Sequence, residues 1–326
     1  MSKIASHLLY EYGKKLEAKP GRDGFGTALI ELGRESTDVV VFDADLAKST
    51  RTEWFWKEFP ERFFDAGIAE QNMLCMCAGM ARVGLIPFAA TYGVFVAGRA
   101  WDQIRTTVCY TDLNVKIAGA HAGISVGPDG ATHQALEDIA LTRVLPNMTV
   151  LSPTDFEETR KAVHAAAALC GPVYIRFGRE PTPVITGVDS PFEIGRAQVY
   201  REGSDVAIIA TGPMVTPALD AAEELALEGI DARVINVHTI KPLDADLIAQ
   251  AAAETGAIVT AEEHQVMAGF GGAVAEVVVQ RCPVPMRFIG IQDRFGESGE
   301  PDELMEVFGL LPRDIKAAVH EVLKAK

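Results

Sequence analysis

The sequence predicts an α/β protein built from two consecutive three-layer domains with mostly parallel sheets. Segments with helical periodicity alternate with short apolar segments of strand length, an order that is typical of parallel sheets. The chain has 326 residues, more than one ordinary domain contains. A stiff segment at 180–183 precedes a polar stretch at 187–195, and this change of composition indicates a boundary. We therefore expect domains at 1–188 and 189–326.

The first domain contains four segments with helical periodicity and four short segments rich in β-branched and aromatic residues. The strand at 38–43 ends in a polar loop at 44–49. The predicted helices are 24–32, 71–83, 98–110 and 156–169. The predicted strands are 38–43, 115–118, 149–151 and 173–177.

The second domain continues the same alternation after the polar stretch. An apolar strand at 205–210 runs into a Thr-Gly-Pro turn and then a helix that ends near residue 227. Later predicted strands are 232–237, 257–260 and 287–291, and later predicted helices are 271–280 and 313–323.

The formal charge of −15 limits the partners of this chain. Nucleic acid and anionic membranes both require a basic face, so we expect neither as a partner. Phosphorylated substrates stay possible, because a few basic side chains in a cleft override the global sign of the charge locally.

The five cysteines are odd in number and lie mostly in apolar surroundings. Cys75 and Cys77 fall in a helical pattern that points them in different directions, so they do not suggest a zinc pair. We predict buried free thiols in a reducing compartment. Because the sequence shows neither a signal peptide nor an apolar run long enough to span a membrane, we expect a cytoplasmic protein.

The segment from His121 to His133, HAGISVGPDGATH, has too many glycines and too few apolar residues to serve as packing material. Glycine permits close approach of the backbone, so we predict a loop that brings both imidazoles to a ligand. Upstream, Glu70 is a lone carboxylate at the start of an apolar helix, where the helix dipole favours it. Read singly, Glu70 and Asp129 could be ordinary first-turn and turn acids, and His133 a capping or core histidine.

Seven motifs, in order, resemble the C-terminal half of transketolases, which some organisms encode as a separate gene. The motifs are GRDGFG, DADLAKS, GIAEQNM, TYGVF, HAGISVGPDGATHQ, RFGRE and AEEHQVMAGFGG. The resemblance implies a thiamine-diphosphate pyrimidine-binding domain at 1–188, followed by a transketolase C-terminal-like domain. It also implies transfer of a two-carbon ketol unit from a ketose phosphate to an aldose phosphate, within carbohydrate metabolism of the pentose phosphate type.

The resemblance assigns Glu70 to a hydrogen bond with the aminopyrimidine ring of thiamine diphosphate. It assigns Tyr92 and Phe95 to the aromatic wall beside that ring, although an aromatic pair three residues apart usually belongs to a core. Tyr92 stands where the family usually has Phe. Asp45 matches a family position near the thiazolium side of the cofactor.

The same resemblance implies that His121 and His133 are catalytic groups that bond the hydroxyls of donor and acceptor. Asp129 is implied to recognise the hydroxyl next to the carbonyl, and imidazole suits proton movement near neutral pH. Two guanidinium groups suit a phosphate dianion, and Arg176 is a competing candidate for this role. The set assigned to the phosphate ester is Arg22, Ser49, His121 and Arg179.

No Gly-Asp-Gly motif, which supplies metal ligands in this cofactor class, occurs in the chain. The resemblance therefore implies that a separate N-terminal, diphosphate-binding subunit holds the Mg²⁺ or Ca²⁺. This chain would then supply no metal ligands and share thiamine diphosphate with that partner. The expected assembly is a heterotetramer with two copies of each chain, in which this chain also associates with itself across a dimer interface.

Four other interpretations remain open at this point. Deoxyxylulose-phosphate synthases share the fold and Glu70 but tend to carry Arg where His121 stands, and they are single chains. The β subunits of 2-oxoacid dehydrogenases lack the GPDGATH-like loop. A catalytically silent interaction subunit is disfavoured by the retained polar residues. A specialised transketolase acting on a branched or sulfonated sugar also fits, because Arg binds sulfonate as well as phosphate.

Overall fold

The computed structural model describes residues 3–326, which form two large sheets and one small sheet with helices packed against them. In the amino-terminal half the strands are β1 Ala18–Pro20, β2 Val39–Asp43, β3 Phe63–Asp65, β4 Ile86–Tyr92, β5 Lys116–Ala120, β6 Thr149–Leu151, β7 Val173–Arg176 and β8 Pro181–Pro183. The helices there are α1 Gly21–Glu35, α2 Ala47–Thr50, α3 Thr52–Glu58, α4 Glu70–Arg82, α5 Gly93–Arg99, α6 Trp101–Gln103, α7 Asp138–Arg143 and α8 Phe156–Ala168.

The carboxyl-terminal half contains six further strands and five further helices. The strands are β9 Gln198–Arg201, β10 Val206–Ala210, β11 Ala232–Asn236, β12 Thr239–Lys241, β13 Ile258–Gln265 and β14 Met286–Ile291. The helices are α9 Val215–Leu227, α10 Ala245–Thr255, α11 Phe270–Arg281, α12 Pro301–Val307 and α13 Pro312–Lys324. The predicted α/β class with mostly parallel sheets is confirmed.

The larger sheet has seven strands in the order β12-β6-β7-β5-β4-β2-β3. All of its pairs are parallel except β12 with β6. Its central strands are buried on both faces, which explains their nearly continuous apolar sequences. Since the strands are parallel, the residues that follow β2, β3, β4, β5 and β7 gather at one edge of the sheet, where ligands of open α/β sheets bind.

The second sheet has the order β14-β13-β10-β11-β9, with only β9 antiparallel to its neighbour. One strand of the carboxyl-terminal half, β12, leaves this unit and pairs with β6 of the larger sheet. In addition, β1 and β8 form a small antiparallel pair. The two halves are therefore joined by shared sheet structure as well as by the connecting segment.

Strand β4 was not among the strands predicted from the sequence. This central strand carries Pro87, and proline argues against a central strand because it cannot donate to the ladder. The helix expected at 98–110 was also wrong in its bounds. It begins as α5 at Gly93, breaks at Ala100, and continues through α6 into a π-helical segment, Ile104–Cys109.

The cysteines are free, as predicted, but the expectation of general burial was wrong for two of them. Cys77 and Cys109 are buried, whereas Cys75 and Cys170 are exposed. Cys75 lies on the outer face of α4, two positions from Cys77, and residues so spaced on a helix face different ways. No helix within residues 3–326 is both long enough and apolar enough to cross a bilayer.

Candidate active site

Glu70 is the first residue of α4, as predicted. Its side chain is only 6% exposed, and Oε1 accepts a hydrogen bond of 2.9 Å from Nη1 of Arg99. The carboxylate lines an open depression of about 450 Å³ together with Arg99 and the neighbouring residues at 68–72. A ligand in this depression would therefore meet a carboxylate that the protein already holds in place.

A row of flat side chains leads from this carboxylate to the two histidines. The guanidinium of Arg99 lies 4.0 Å from the ring centroid of Phe95, which stacks on Tyr92 at 5.6 Å. Tyr92 in turn lies 4.1 Å from the ring of His121, and Phe95 meets His133 edge-on at 5.3 Å. The fold thus brings the predicted aromatic pair and both predicted histidines together.

His121 directly follows β5 and is 1% exposed, with a φ of 53°. Positive φ is uncommon for a residue with a Cβ atom and often marks a functional position. Burial lowers the pKa of His121 to about 3, and the electrostatic effects of the nearby Arg22, Arg179, Arg51 and His133 lower it further. The imidazole is therefore neutral near pH 7.

The tautomer of His121 follows from its contacts. Nε2 lies 3.5 Å from Nη1 of Arg22, and a guanidinium can only donate. Nε2 is thus the acceptor, which places the ring proton on Nδ1, a buried atom without a partner among the described residues. The ring can donate this proton in a hydrogen bond to an incoming oxygen.

We expect His121 to make the protein less stable as the pH falls. Its pKa of about 3 lies below the ordinary value of 6.5, so the unfolded chain binds a proton first and stability declines between those values. Between pH 7 and pH 5, the loss in the free energy of unfolding should be about 2 kcal/mol smaller in His121→Asn than in the wild type. Urea unfolding at both pH values measures this, and equal losses in both proteins would contradict the buried neutral imidazole.

Arg22 and the loop after β2 form a basic end of the site. Nη1 of Arg22 donates to the carbonyl oxygen of Ser49 at 3.3 Å, while its Nε is buried without a partner among the described residues. The buried Asp43 fixes this loop. Its carboxylate accepts hydrogen bonds from the hydroxyls of Thr50 and Thr52 at 2.8 Å each. Burial raises the pKa of Asp43 to about 6. The segment predicted as a polar loop at 44–49 becomes helical at Ala47, where α2 begins, and these buried hydrogen bonds anchor its end.

Arg51 adds a further guanidinium to the basic end. It adopts a left-handed φ of 72°, and its Nε donates to Oδ1 of Asp23 at 2.6 Å. Its charge lowers the pKa of Arg22, after the larger effect of burial. Arg51 is not among the predicted site residues, although it lies two residues after Ser49. Arg99 is not among them either.

Arg179 follows β7 and contacts the loop that carries Asp129 and His133. Its Nη1 donates to the carbonyl oxygen of Val126 at 3.2 Å and to Oδ2 of Asp129 at 3.3 Å. Asp129 is exposed, and His133 follows it on the same loop with Nδ1 2.9 Å from the Thr132 hydroxyl. The structure therefore places Arg179 beside the loop that carries the predicted substrate-binding residues.

Arg176, the competing candidate, lies elsewhere. It is 3% exposed, and Nε forms a buried ion pair with Asp138 at 3.0 Å. Nη2 donates to the carbonyl oxygens of Ala135 and Glu263. These contacts commit Arg176 to packing between the two halves and leave Arg179 as the more accessible guanidinium.

We expect the two arginines to differ in their effect on stability. Arg176→Ala leaves Asp138 as an uncompensated buried charge and should lower the free energy of unfolding by about 3–5 kcal/mol. Arg179→Ala, at a partly exposed site, should change it by less than about 0.5 kcal/mol. Chemical denaturation followed by circular dichroism compares them, and losses of equal size would contradict this division of roles.

Asp45 and the Glu-Glu-His run at 262–264 are held by contacts of their own. Asp45 is exposed with a φ of 62°, and its N–H donates to Oδ1 of Asp65 at 3.1 Å. Glu262 accepts from the N–H groups that begin α11, and His264 is buried beside it. Within residues 3–326, no group of three His, Cys, Asp or Glu side chains is arranged to hold a metal ion.

Comparison with known proteins gives consistent matches over nearly the whole chain. Models of two domain families match: transketolase, pyrimidine binding domain, over residues 18–184, and transketolase, C-terminal domain, over residues 195–315. A Methanocaldococcus jannaschii protein designated a transketolase C-terminal section is 46% identical over 93% of this chain and 96% of the relative.

Two further proteins are similar over almost their full lengths. The 6-deoxy-6-sulfo-D-fructose transketolase subunit SqwH of Clostridium sp. strain MSTE9 is 43% identical over 96% of this chain and 97% of the relative. A solved structure described as a split gene transketolase, inactive beta4 tetramer, is 50% identical with a TM-score of 0.87. That match covers 94% of this chain and 99% of the other.

Proposed function

The chain belongs to the transketolase family, and from that membership we propose that it is the C-terminal subunit of a two-gene transketolase. The reaction is the transfer of a two-carbon ketol unit from a ketose phosphate to an aldose phosphate. The observation that carries the proposal is the unbroken row of contacts from Glu70 through Arg99, Phe95 and Tyr92 to His121. It combines a buried carboxylate, an aromatic wall and a neutral imidazole at one sheet edge.

The residues beside the depression fit the aminopyrimidine end of thiamine diphosphate. Glu70 is nearly buried and lines an open cavity, so its carboxylate can accept from or share a proton with a ring nitrogen. Tyr92 and Phe95 offer aromatic faces that suit a flat heterocycle. When bound, thiamine diphosphate supplies the carbon nucleophile and the electron sink for ketol transfer. Asp45 would lie toward its thiazolium side.

The histidine loop and the basic end would bind the sugar. His121 can donate from its partnerless Nδ1, and with His133 it would bond and move protons at the hydroxyls of donor and acceptor. Asp129 would accept from the hydroxyl next to the carbonyl. The phosphate ester would be held by charge-assisted hydrogen bonds. The groups that would hold it are Arg22, Ser49, His121 and Arg179.

The remaining half of the site is proposed to come from an N-terminal, diphosphate-binding partner chain. That partner would hold the diphosphate through Mg²⁺ or Ca²⁺, and the complex would be a heterotetramer with cofactors at subunit interfaces. The similar solved structure is described as an inactive beta4 tetramer, which supports association of this chain with itself when no partner is present. Free cysteines, two of them exposed, suit a reducing cytoplasm.

A ketol-transfer assay with xylulose phosphate and ribose phosphate tests the proposal. It is run with this chain alone and with the product of the neighbouring gene, in the presence of thiamine diphosphate and Mg²⁺. Activity in the mixture alone is the expected result. A mixture that binds no cofactor would overturn the proposal and favour a silent interaction subunit.

A sulfonated sugar is the second candidate substrate. The name of the Clostridium relative supports it, and the guanidinium groups around His121 suit any tetrahedral anion. In the same assay, 6-deoxy-6-sulfofructose replaces xylulose phosphate as donor. A mixture that binds cofactor and turns over only the sulfonated donor would assign the chain to this candidate.

A further inference from the structure

The histidine loop, residues 121–135, is joined to itself at its two ends, whereas its middle is contacted by residues of the carboxyl-terminal half. Ala122 and Ala135 form a parallel bridge, and the N–H of Gly123 donates to the carbonyl oxygen of Ala135 at 3.0 Å. Between these ends the chain follows short helical turns at Ile124–Asp129. The loop carries both histidines and the aspartate of the proposed site, so its conformation decides where these groups point.

Glu263, near the carboxyl end of β13 in the second sheet, contacts this loop directly. Its Oε1 accepts from the N–H of Ser125 at 2.6 Å, and its carbonyl oxygen accepts from Arg176 at 2.8 Å. Gly123 has a φ of 94°, and a Cβ atom there would lie 2.3 Å from Oε1 of Glu263. The carboxylate is therefore pressed directly against the loop backbone, and only glycine fits opposite it.

The segment that follows β14 in the carboxyl-terminal half contacts the loop at Gly130 and Gln134. Nε2 of Gln134 donates to the carbonyl oxygen of Glu297 at 3.0 Å and to that of Ile124 at 3.1 Å. A Cβ atom on Gly130 would lie 2.4 Å from Oγ of Ser298. The segment between β14 and α12 thus fits closely around the loop next to Glu263.

The Glu263 carboxylate is not explained by packing alone. Burial raises the pKa of Glu263, and Arg176 and the Ser125 hydrogen bonds oppose this effect. A neutral side chain of similar size would avoid that desolvation. Its Oε2 is buried without a partner among the described residues, so the carboxylate directs its hydrogen bonding through Oε1 to the loop.

We propose that Glu263 is a positioning residue through which the C-terminal domain holds the histidine loop in its catalytic conformation. The kinetic part of this inference rests on the proposed ketol-transfer function, whereas the structural part does not. The side chain gives the Ser125 N–H a fixed acceptor oxygen at 2.6 Å, and burial excludes water that could replace it. The C-terminal domain then contributes to substrate binding although it touches no substrate.

Hydrogen exchange of the chain without its partner tests the structural part. Amides of residues 122–131 should exchange about tenfold faster in Glu263→Ala, because the loop loses the acceptor that fixes the Ser125 N–H. Glu263→Gln keeps an acceptor oxygen but puts an amide NH₂ group where Oε2 is buried without a partner among the described residues, so it should restore most, but not all, of the protection. The matched control is Glu262→Gln, a neighbour in the same strand that bonds the start of α11 instead; it should leave loop exchange unchanged even if it lowers overall stability.

Unchanged loop exchange in Glu263→Ala would overturn the structural part. So would acceleration of loop exchange in Glu262→Gln equal to that in Glu263→Ala. If Glu263→Ala does not fold, wild-type protection of the loop in Glu263→Gln would overturn it instead.

The kinetic part is measured on the same variants mixed with the partner chain. A misplaced loop should lower kcat/KM of Glu263→Ala by tenfold to hundredfold, with recovery in Glu263→Gln. Wild-type kcat and KM in a variant whose loop exchanges faster would overturn the catalytic consequence. A wild-type mixture without ketol transfer would overturn the proposed function instead, and the exchange result would still decide whether Glu263 holds the loop.

Discussion

Glu70→Gln should leave folding and assembly intact and lower turnover of the mixed subunits by about 10²–10⁴-fold. The substitution keeps the size of the side chain and an oxygen that can accept from Arg99, so the hydrogen bond at 2.9 Å can persist. It removes the carboxylate that would share a proton with the cofactor ring. The measurement is steady-state ketol transfer, with assembly checked by size-exclusion chromatography.

A surface Glu–Arg pair provides the control for this variant. Glu58 accepts from Arg34 at 2.7 Å on the exposed side of the molecule, and Glu58→Gln should turn over like the wild type. Cofactor binding to the mixed subunits is measured for both variants. Normal turnover by Glu70→Gln with the cofactor bound would remove Glu70 from the mechanism.

Arg179→Ala should raise KM for phosphorylated acceptors by about tenfold to hundredfold, the range for loss of a hydrogen bond to a charged group. Unphosphorylated acceptors, which make no such contact, should be almost unaffected. The side chain lies next to Asp129 and is only partly buried, so its removal should not disturb the fold. Initial rates with ribose phosphate and with ribose give the two values.

Arg34→Ala is the control for the loss of one positive charge. Arg34 is exposed and lies near the end of α1, whereas Arg22 lies at the start of the same helix. The substitution should change neither KM. If Arg179→Ala raises both KM values by the same factor, the assignment of Arg179 to the phosphate is wrong.

The alternation of periodicities was sufficient to predict the α/β class and most elements. Helix α8 and strand β6 lie almost where the apolar pattern put them. Strand β4 escaped prediction because Pro87 carries a local signal that tertiary packing overrides. Strand β12 could not have been assigned to the larger sheet, since its partner β6 is distant in the chain and nothing in a three-residue segment specifies a partner.

Motif order alone supplied the residue types of the site: a carboxylate that begins a helix, two imidazoles on a glycine-rich loop, and arginines near strand ends. Those properties depend on local sequence, because they follow from short-range backbone preferences and side-chain chemistry. The tertiary structure decided how the groups pair. It buried Arg176 against Asp138, placed Arg99 on Glu70, and brought Glu263 from the second sheet onto Ser125. Such pairings join residues far apart in the chain, and only close packing of the two halves determines which atoms meet.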